Sequence, residues 1–479
     1  MSDMTAQTPL HWYDAIPINI YYFALPLRSQ TLTPPIMPLL VPQFVGDATK
    51  GTSYGNIRLV SLMVALLVQA AAGLLSDHNP SRLGRRRPFI LVSTVLEIIA
   101  FLGVGWIAGS MEGMAGYKAL FAVIVCSMIF SNIGHGAAQG LIPDLVPPSQ
   151  RGRYSGIKAF FELPLPLIFV AFTISKMVGA GNLWAAILAM IAVFVVATIL
   201  TMMVRETPLK RPTKPIDWTG ILRLVLMTAL FTLVIFLIGT GVKLLVPYLL
   251  TLQSSWSLVL IGVVGVAGML LAVALGVIAS VRISLGNEAE KRPSFTWWVI
   301  NRLAFLVGAN NLASFVLFFI QERYPELQGN AAAQPASLLM MVVGVAILVI
   351  SIPSGWLTDK FGAKLILLVS GLLATLGTVV VIMSRTMPVM FAGGVLIGLA
   401  TGAFFSSNWA LGTYIVPKEE AGRWLGISNL AGAGAGAIGA FIGGPIGDGA
   451  GYVLLMGLYG FLFLFSTLAL VKIKPEAEV

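Results

Sequence analysis

The chain of 479 residues is 57% hydrophobic and only 10% charged, carries a net charge of +10, and has one cysteine, Cys126. Soluble domains hold roughly 25% charged residues, so this chain cannot clothe a water-facing surface. One cysteine excludes a disulfide framework, and His11, His78 and His135 stand too far apart for a zinc site.

The first fifteen residues are polar and lack the basic stretch and short apolar core of a cleavable signal, so the first apolar segment is predicted to stay as a span. A helix needs about 20 apolar residues to cross a bilayer. Six such runs come first, at 16–41, 54–76, 89–109, 118–141, 155–178 and 182–204. Two follow, at 219–245 and 256–281, the first with an end blurred by Lys243 and Pro247. Six more close the chain, at 296–320, 335–357, 364–384, 387–411, 424–446 and 452–471. The pattern predicts an all-α polytopic membrane protein of about 14 transmembrane helices.

Basic residues fix the expected orientation. The loops after even-numbered runs and the span ends facing them hold about 17 Lys and Arg, against about 6 in the odd loops. The even loops include Arg85, Arg86, Arg151, Arg205, Lys210, Arg211, Lys214, Lys291, Lys360 and Lys418. Even loops and both termini are therefore expected in the cytoplasm, in the cell (inner) membrane. This placement also argues against nucleic acid as the reason for the basic charge.

The chain repeats internally. Gly73-Leu-Leu-Ser-Asp77 opens a basic loop, and Gly355-Trp-Leu-Thr-Asp359 opens another about 282 positions later. Val146-Pro147 with Gly152-Arg153-Tyr154 and Gly156-Ile157 matches Val416-Pro417 with Gly422-Arg423-Trp424 and Gly426-Ile427, about 270 positions on. Six helices with loops take roughly 200 residues, so the excess fits two more helices. The expected division is a six-helix bundle at 1–205, an insert with two extra central helices at 206–292, and a second six-helix bundle at 293–479. Two six-helix halves are a transporter arrangement.

Gly73 to Asp77 with Arg82-Leu-Gly84-Arg85-Arg86-Arg87-Pro88-Phe89-Ile90 resembles the loop signature of the major facilitator superfamily. The run Gly-Arg-Arg-Arg-Pro-Phe-Ile is similar to that of the sucrose and glycoside cation symporters. The resemblance implies the major facilitator fold, with the first and fourth helices of each repeat lining a cavity. The two extra helices depart from the twelve-helix plan of those symporters. Gly73, Asp77, Gly84, Arg85 and Arg86, with Gly355 and Asp359 in the second repeat, are expected to form gating loops. There a small residue lets helices approach, and the acid meets an arginine or a helix N-terminus. The arginines also set topology.

Ionisable residues at membrane depth are costly and mark pathways by default. Arg28, Glu97, His135, Glu162 and Arg302 are the candidates. Arg28 falls near the middle of the first run, as do Asn310 and Asn311 in the run that opens the second repeat; His135, Glu162, Arg302 and Asn408 fall nearer the cytoplasmic side. In the resembled fold Arg28, His135, Asn310 and Asn408 would face the cavity, and Glu97 would lie on a peripheral helix. Gln30, Asn132, Gln139 and Asn311 add hydrogen-bonding capacity, and Trp409 an aromatic platform or a packing residue. Glu162, beside Pro164 and Pro166, is the candidate proton-coupling residue, with His135; the alternative is a static ion pair with Arg28 or another buried cation. Pro26, Pro34, Pro35 and Pro38 make the first span pliable. Ala431 to Gly436 alternates Ala and Gly inside an apolar run and lacks the P-loop lysine, so it is read as a helix-packing surface.

The expected function is a secondary active transporter moving a small solute, a sugar or glycoside with protons, by alternating access. A drug or amphiphile exporter and a non-transporting assembly factor for a membrane complex are the alternatives. The chain shows no nucleotide-binding motif, cofactor signature or catalytic constellation, so an enzyme is not expected. The expected partners are the solute, a proton or other cation and the bilayer, with the chain a monomer and no nucleic acid bound.

Overall fold

The computed structural model describes residues 10–204, 206, 218–252, 254, 256–286, 292–416 and 421–473, less the side chains of 421–423, 425, 426 and 429–431. Arg205, Lys210, Arg211, Lys214, Lys291, Pro417 and Lys418 lie outside the described residues, as do the side chains of Arg423 and Ala431. Every regular element among the described residues is helical.

Fourteen rods of membrane length follow one another, as the hydropathy predicts. Rod α1 is segmented into Ala15–Asn19, Tyr21–Thr31, a π-turn at Leu32–Ile36, and Met37–Val45. The π-turn forms where Pro34 and Pro35 remove two backbone donors in succession. The continuous rods are α2 (Lys50–Asp77), α3 (Arg87–Ser110) and α4 (Gly113–Ala138). Rod α5 is again broken, into Arg151–Glu162, Pro164–Phe169, a π-turn at Val170–Ile174, and Ser175–Gly179. Next come α6 (Leu183–Met202), α7 (Trp218–Thr251) and α8 (Ser257–Leu285). The last six are α9 (Pro293–Arg323), α10 (Ala333–Phe361), α11 (Ala363–Met383), α12 (Met387–Ile415), α13 (Ala421–Ala450) and α14 (Tyr452–Ala469). Helix α7 runs through Lys243 and Pro247 without a break. Large apolar side chains exposed along α7 and α8, such as Leu226, Phe236, Val259 and Val263, are what a lipid-facing surface requires.

The chain resolves into two compact units. Residues up to Leu32 and from Val64 to Trp218 form the first; Thr33–Met63 and Thr219–Val479 form the second. The first boundary falls at the π-turn of α1 and the second inside α2.

In the first unit, Tyr21, Tyr22, Ile90, Leu141 and Tyr154 form a buried core. Tyr22 donates its hydroxyl to Ala138 O at 2.7 Å, tying α1 to α4. The phenol of Tyr21 meets Ser93 Oγ at 3.2 Å, and its ring sits edge-on to Phe194, which in turn meets Phe101. Helices α2 and α4 touch backbone to backbone, for a Cβ on Gly136 would lie 2.8 Å from Gly73 N. In the second unit α9 is almost wholly enclosed. Phe305 stacks on Phe404 with ring centres 3.7 Å apart and leans on Phe463. The inserted helices use glycines to seat bulky neighbours. Gly265 receives Ile446 and Leu458, Gly239 receives Phe441, and Gly276 and Gly434 both receive Phe231.

Candidate transport site

In the first unit the polar residues at membrane depth form a triad. Arg28 Nε donates to Glu97 Oε1 at 2.5 Å and to Ser127 Oγ at 3.0 Å, and Arg28 Nη2 donates to Ser127 Oγ at 2.8 Å. Ser127 Oγ donates to Glu97 Oε1 at 2.6 Å. Arg28 and Ser127 are buried, and Glu97 is fully so. Among the described residues Glu97 Oε2 has no hydrogen-bond partner. Sequence reasoning found Arg28 but ranked Glu97 as peripheral and passed over Ser127.

Glu162 lies elsewhere. Its Oε2 is 3.6 Å from Lys158 Nζ one turn back, and its side chain is 42% exposed. The helix breaks directly after it, at Leu163, where Pro164 starts a new segment. Lys158 also sits 4.4 Å over the Tyr22 ring. Of the alternatives for Glu162, the cation beside it is Lys158, whereas Arg28 belongs to Glu97. His135 on α4 and Gln139 at its C-cap lie one turn apart, with Nε2 atoms 3.5 Å apart. Asn132 turns back to Met128 O of its own helix, and Gln30 is half-buried.

In the second unit the candidates form two groups. Asn310 Nδ2 donates to Gly432 O at 3.4 Å, and Asn311 Nδ2 donates to Val307 O and to Ala435 O at 2.8 and 3.0 Å. Both amides thus rest on the Ala/Gly run of α13. Asn408 is fully buried; its Oδ1 accepts from Arg302 Nη1 at 3.0 Å and its Nδ2 donates to Asn301 Oδ1 at 3.1 Å. Asn301 in turn donates to Ser466 O and Oγ. Trp409 lies beside this network, its ring 4.7 Å from the Arg302 guanidinium carbon. Asn301 and Ser466 were not singled out in the sequence, since neutral polar side chains are common in apolar helices.

The first basic loop is tightly organised. Arg86 pairs with Asp77 and donates from Nε to Asp144 Oδ2 at 3.0 Å and from Nη1 to Ser76 Oγ at 2.6 Å. Arg85 reaches the same Asp144 oxygen at 2.9 Å. Arg86 N donates to Glu206 Oε2 at 2.9 Å. Burial pushes the Glu206 carboxyl above its ordinary range, against the pull of the Arg86 and Arg87 amides. Gly84 has φ +102 and lies against Glu206, a conformation and a space that suit only glycine. Asp144 and Glu206 were missed; nothing in their local sequence marks them as partners of this loop. The second loop is different. Asp359 is exposed and, among the described residues, makes no ion pair, while Gly355 has open space where a side chain would go. Gly362 closes α10 at φ +84.

The model of the Major Facilitator Superfamily matches residues 22–323 and 303–479, nearly the whole sequence. The chain belongs to the Major Facilitator Superfamily. Membership places it among integral multi-pass transporters rather than enzymes. The likeness to the sugar and glycoside branch is also borne out by local matches. The chain is 26% identical to the minor myo-inositol transporter of Bacillus subtilis over 145 residues, which is 30% of either protein. It is 27% identical to the sucrose transport protein SUC4 of Arabidopsis thaliana over 171 residues, 34% of this chain and 31% of that protein. The matched stretches therefore span about a third of these curated relatives. The solved nucleoside transporter NupG aligns with 96% of this superfamily member and 99% of its own chain at TM-score 0.65 and 12% identity. A D-xylose–proton symporter aligns over 97% and 98% at TM-score 0.63 and 15% identity. At such identities these structures speak for the fold alone.

Proposed function

We propose that this superfamily member is a secondary transporter of a small polyhydroxylated solute, a sugar, polyol or glycoside, working by alternating access and driven by protons. The observation that carries the reading is the joint one of family and local likeness: three stretches match carriers named for myo-inositol, sucrose and alpha-glucosides. Buried amides and charges on α1, α9 and α12, with the half-buried Asn132 and His135 on α4, supply what such a solute needs, since hydroxyls exchange water for donors and acceptors.

In this reading the solute-contacting residues are Arg28, Gln30, Asn132, His135 and Gln139 in the first repeat and Asn310, Asn311, Asn408 and Trp409 in the second. Residues 1–205 and 293–479 are the two repeats, and 206–292 contributes the two extra helices. Gly73, Asp77, Gly84, Arg85, Arg86, Gly355 and Asp359 belong to the gate. Glu162, next to the break in α5 and assisted by His135, takes the proton. The chain is a monomer in the cell (inner) membrane with both termini in the cytoplasm.

The test is uptake of labelled myo-inositol, sucrose and maltose into proteoliposomes with and without an inward proton gradient. The gradient is expected to drive accumulation. Glu162→Gln is expected to abolish accumulation while leaving solute exchange. Accumulation by Glu162→Gln equal to the parent removes Glu162 from the coupling role. Accumulation indifferent to the gradient removes protons from the account.

A further inference from the structure

Two arginines buried at membrane depth are held in opposite ways. Arg28 has an acid, Glu97, at its guanidinium. Arg302 is as well buried, 7% exposed, yet no carboxylate lies within ion-pair distance of it among the described residues. Among the described residues its one hydrogen bond runs from Nη1 to Asn408 Oδ1, and its Nε has no partner. The residues that hold it are neutral and are themselves fixed. Asn408 is clamped by Asn301 through its side chain and by Trp298 Nε1 through its carbonyl, at 3.1 Å each, and Asn301 is anchored on Ser466. Trp409, 37% exposed, is the open side of this cluster.

Arg302 stands nine residues into α9, about 13 Å along a 31-residue helix and so within the hydrocarbon depth. A cation at such depth is costly, and such groups normally pair with an acid or line a pathway. A guanidinium is a planar fork that accepts a carboxylate on two donors at once. Here one donor is used to aim the fork and the Nε edge is unused. Among the described residues no counter-charge completes it, so the place fits one that a ligand carries.

We propose that Arg302 binds the carboxylate of the transported solute, with Trp409 against its carbon skeleton. The inference rests on the carrier reading above and narrows it from neutral sugars to sugar acids. A small inorganic anion offers the same charge without the skeleton, so the test separates the two.

The purified full-length protein is melted at constant ionic strength against gluconate, glucuronate, glucose, myo-inositol, acetate and chloride. A ligand that binds the native state raises the melting temperature with concentration. Gluconate or glucuronate is expected to stabilise the parent more than glucose does. Arg302→Gln is expected to weaken that binding at least about tenfold, the order of one charge-assisted pair. Trp409→Ala is expected to weaken sugar acids and leave acetate unaffected. Where Arg302→Gln does not fold, Arg302→Lys keeps the charge and loses the fork, and its gluconate affinity still falls. Equal stabilisation by glucose and gluconate, or unchanged gluconate binding in both Arg302 variants, overturns the proposal and leaves the carrier reading standing. Stabilisation by chloride and acetate equal to that by sugar acids, lost in Arg302→Gln, overturns the solute as the source of the charge. Arg302-dependent gluconate binding with no flux of any solute in proteoliposomes instead sinks the carrier reading alone.

Discussion

Arg28 and Glu97 meet across 69 positions of sequence in a region where neither could be left alone. A buried ion pair adds little net stability, but removing one partner strands the other, at a cost of about 3–5 kcal/mol. Glu97→Ala is therefore expected to lower the melting temperature of the purified protein sharply. Replacing Arg28 and Glu97 together by Leu is expected to recover most of the loss. A double variant no more stable than Glu97→Ala would show that the pair is not the unit. Glu206 gives a pH-dependent counterpart outside the membrane. Its raised carboxyl favours the protonated form, so that stability is complete below the unfolded value near 4.5 and declines as pH rises through the folded one. Glu206→Gln is expected to gain stability over the parent at pH 8 and none at pH 4; an equal gain at both would contradict the assignment. At this scale the sequence named the charged residues at depth but not their partners. Arg28 stands out in an apolar run, whereas its pairing with Glu97 depends on which helices are neighbours, and hydropathy says nothing about that.

Helix α4 approaches α2 at Gly136 with no room for a side chain, whereas a Cβ on Gly73 would make an ordinary contact with Gly136 O at 3.6 Å and the repeated glycine, Gly355, faces open space. Gly136→Val is expected to abolish stable expression or lower the melting temperature by many degrees, because the Cβ would press on backbone atoms of α2. Gly355→Ala is expected to be tolerated within experimental error. A Gly136→Val protein as stable as the parent would contradict the close approach of α2 and α4. The sequence exposed the duplicated Gly-x-x-x-Asp pattern. It did not expose that the first loop draws Asp144 and Glu206 around Arg86, because both acids come from segments beyond it in the chain. The prolines of α1 and α5 were legible as weak points. The π-turns at Leu32–Ile36, which holds Pro34 and Pro35, and at Val170–Ile174, which holds no proline, were not legible.

Fourteen rods were countable from apolar length alone, since lipid demands that every spanning backbone satisfy itself as helix. The packing of the inserted pair was not countable. Helices α7 and α8 lodge on α13 and α14 through Gly239 and Gly265 and on each other through Gly268, positions that look like any other small residue in an apolar run. Orientation rests on basic loops, and the single cysteine makes it testable: in a Cys126→Ser background, cysteines placed at Ser81 and at Gly329 are expected to label from opposite sides of the membrane. Labelling of both from one side would break the fourteen-span topology. The most direct test of the whole account is counterflow: purified protein in liposomes preloaded with unlabelled solute, offered traces of labelled myo-inositol, sucrose, maltose or gluconate. A solute carrier is expected to show a transient, saturable overshoot of at least one label above protein-free liposomes. Traces indistinguishable from protein-free liposomes for every solute would contradict the account.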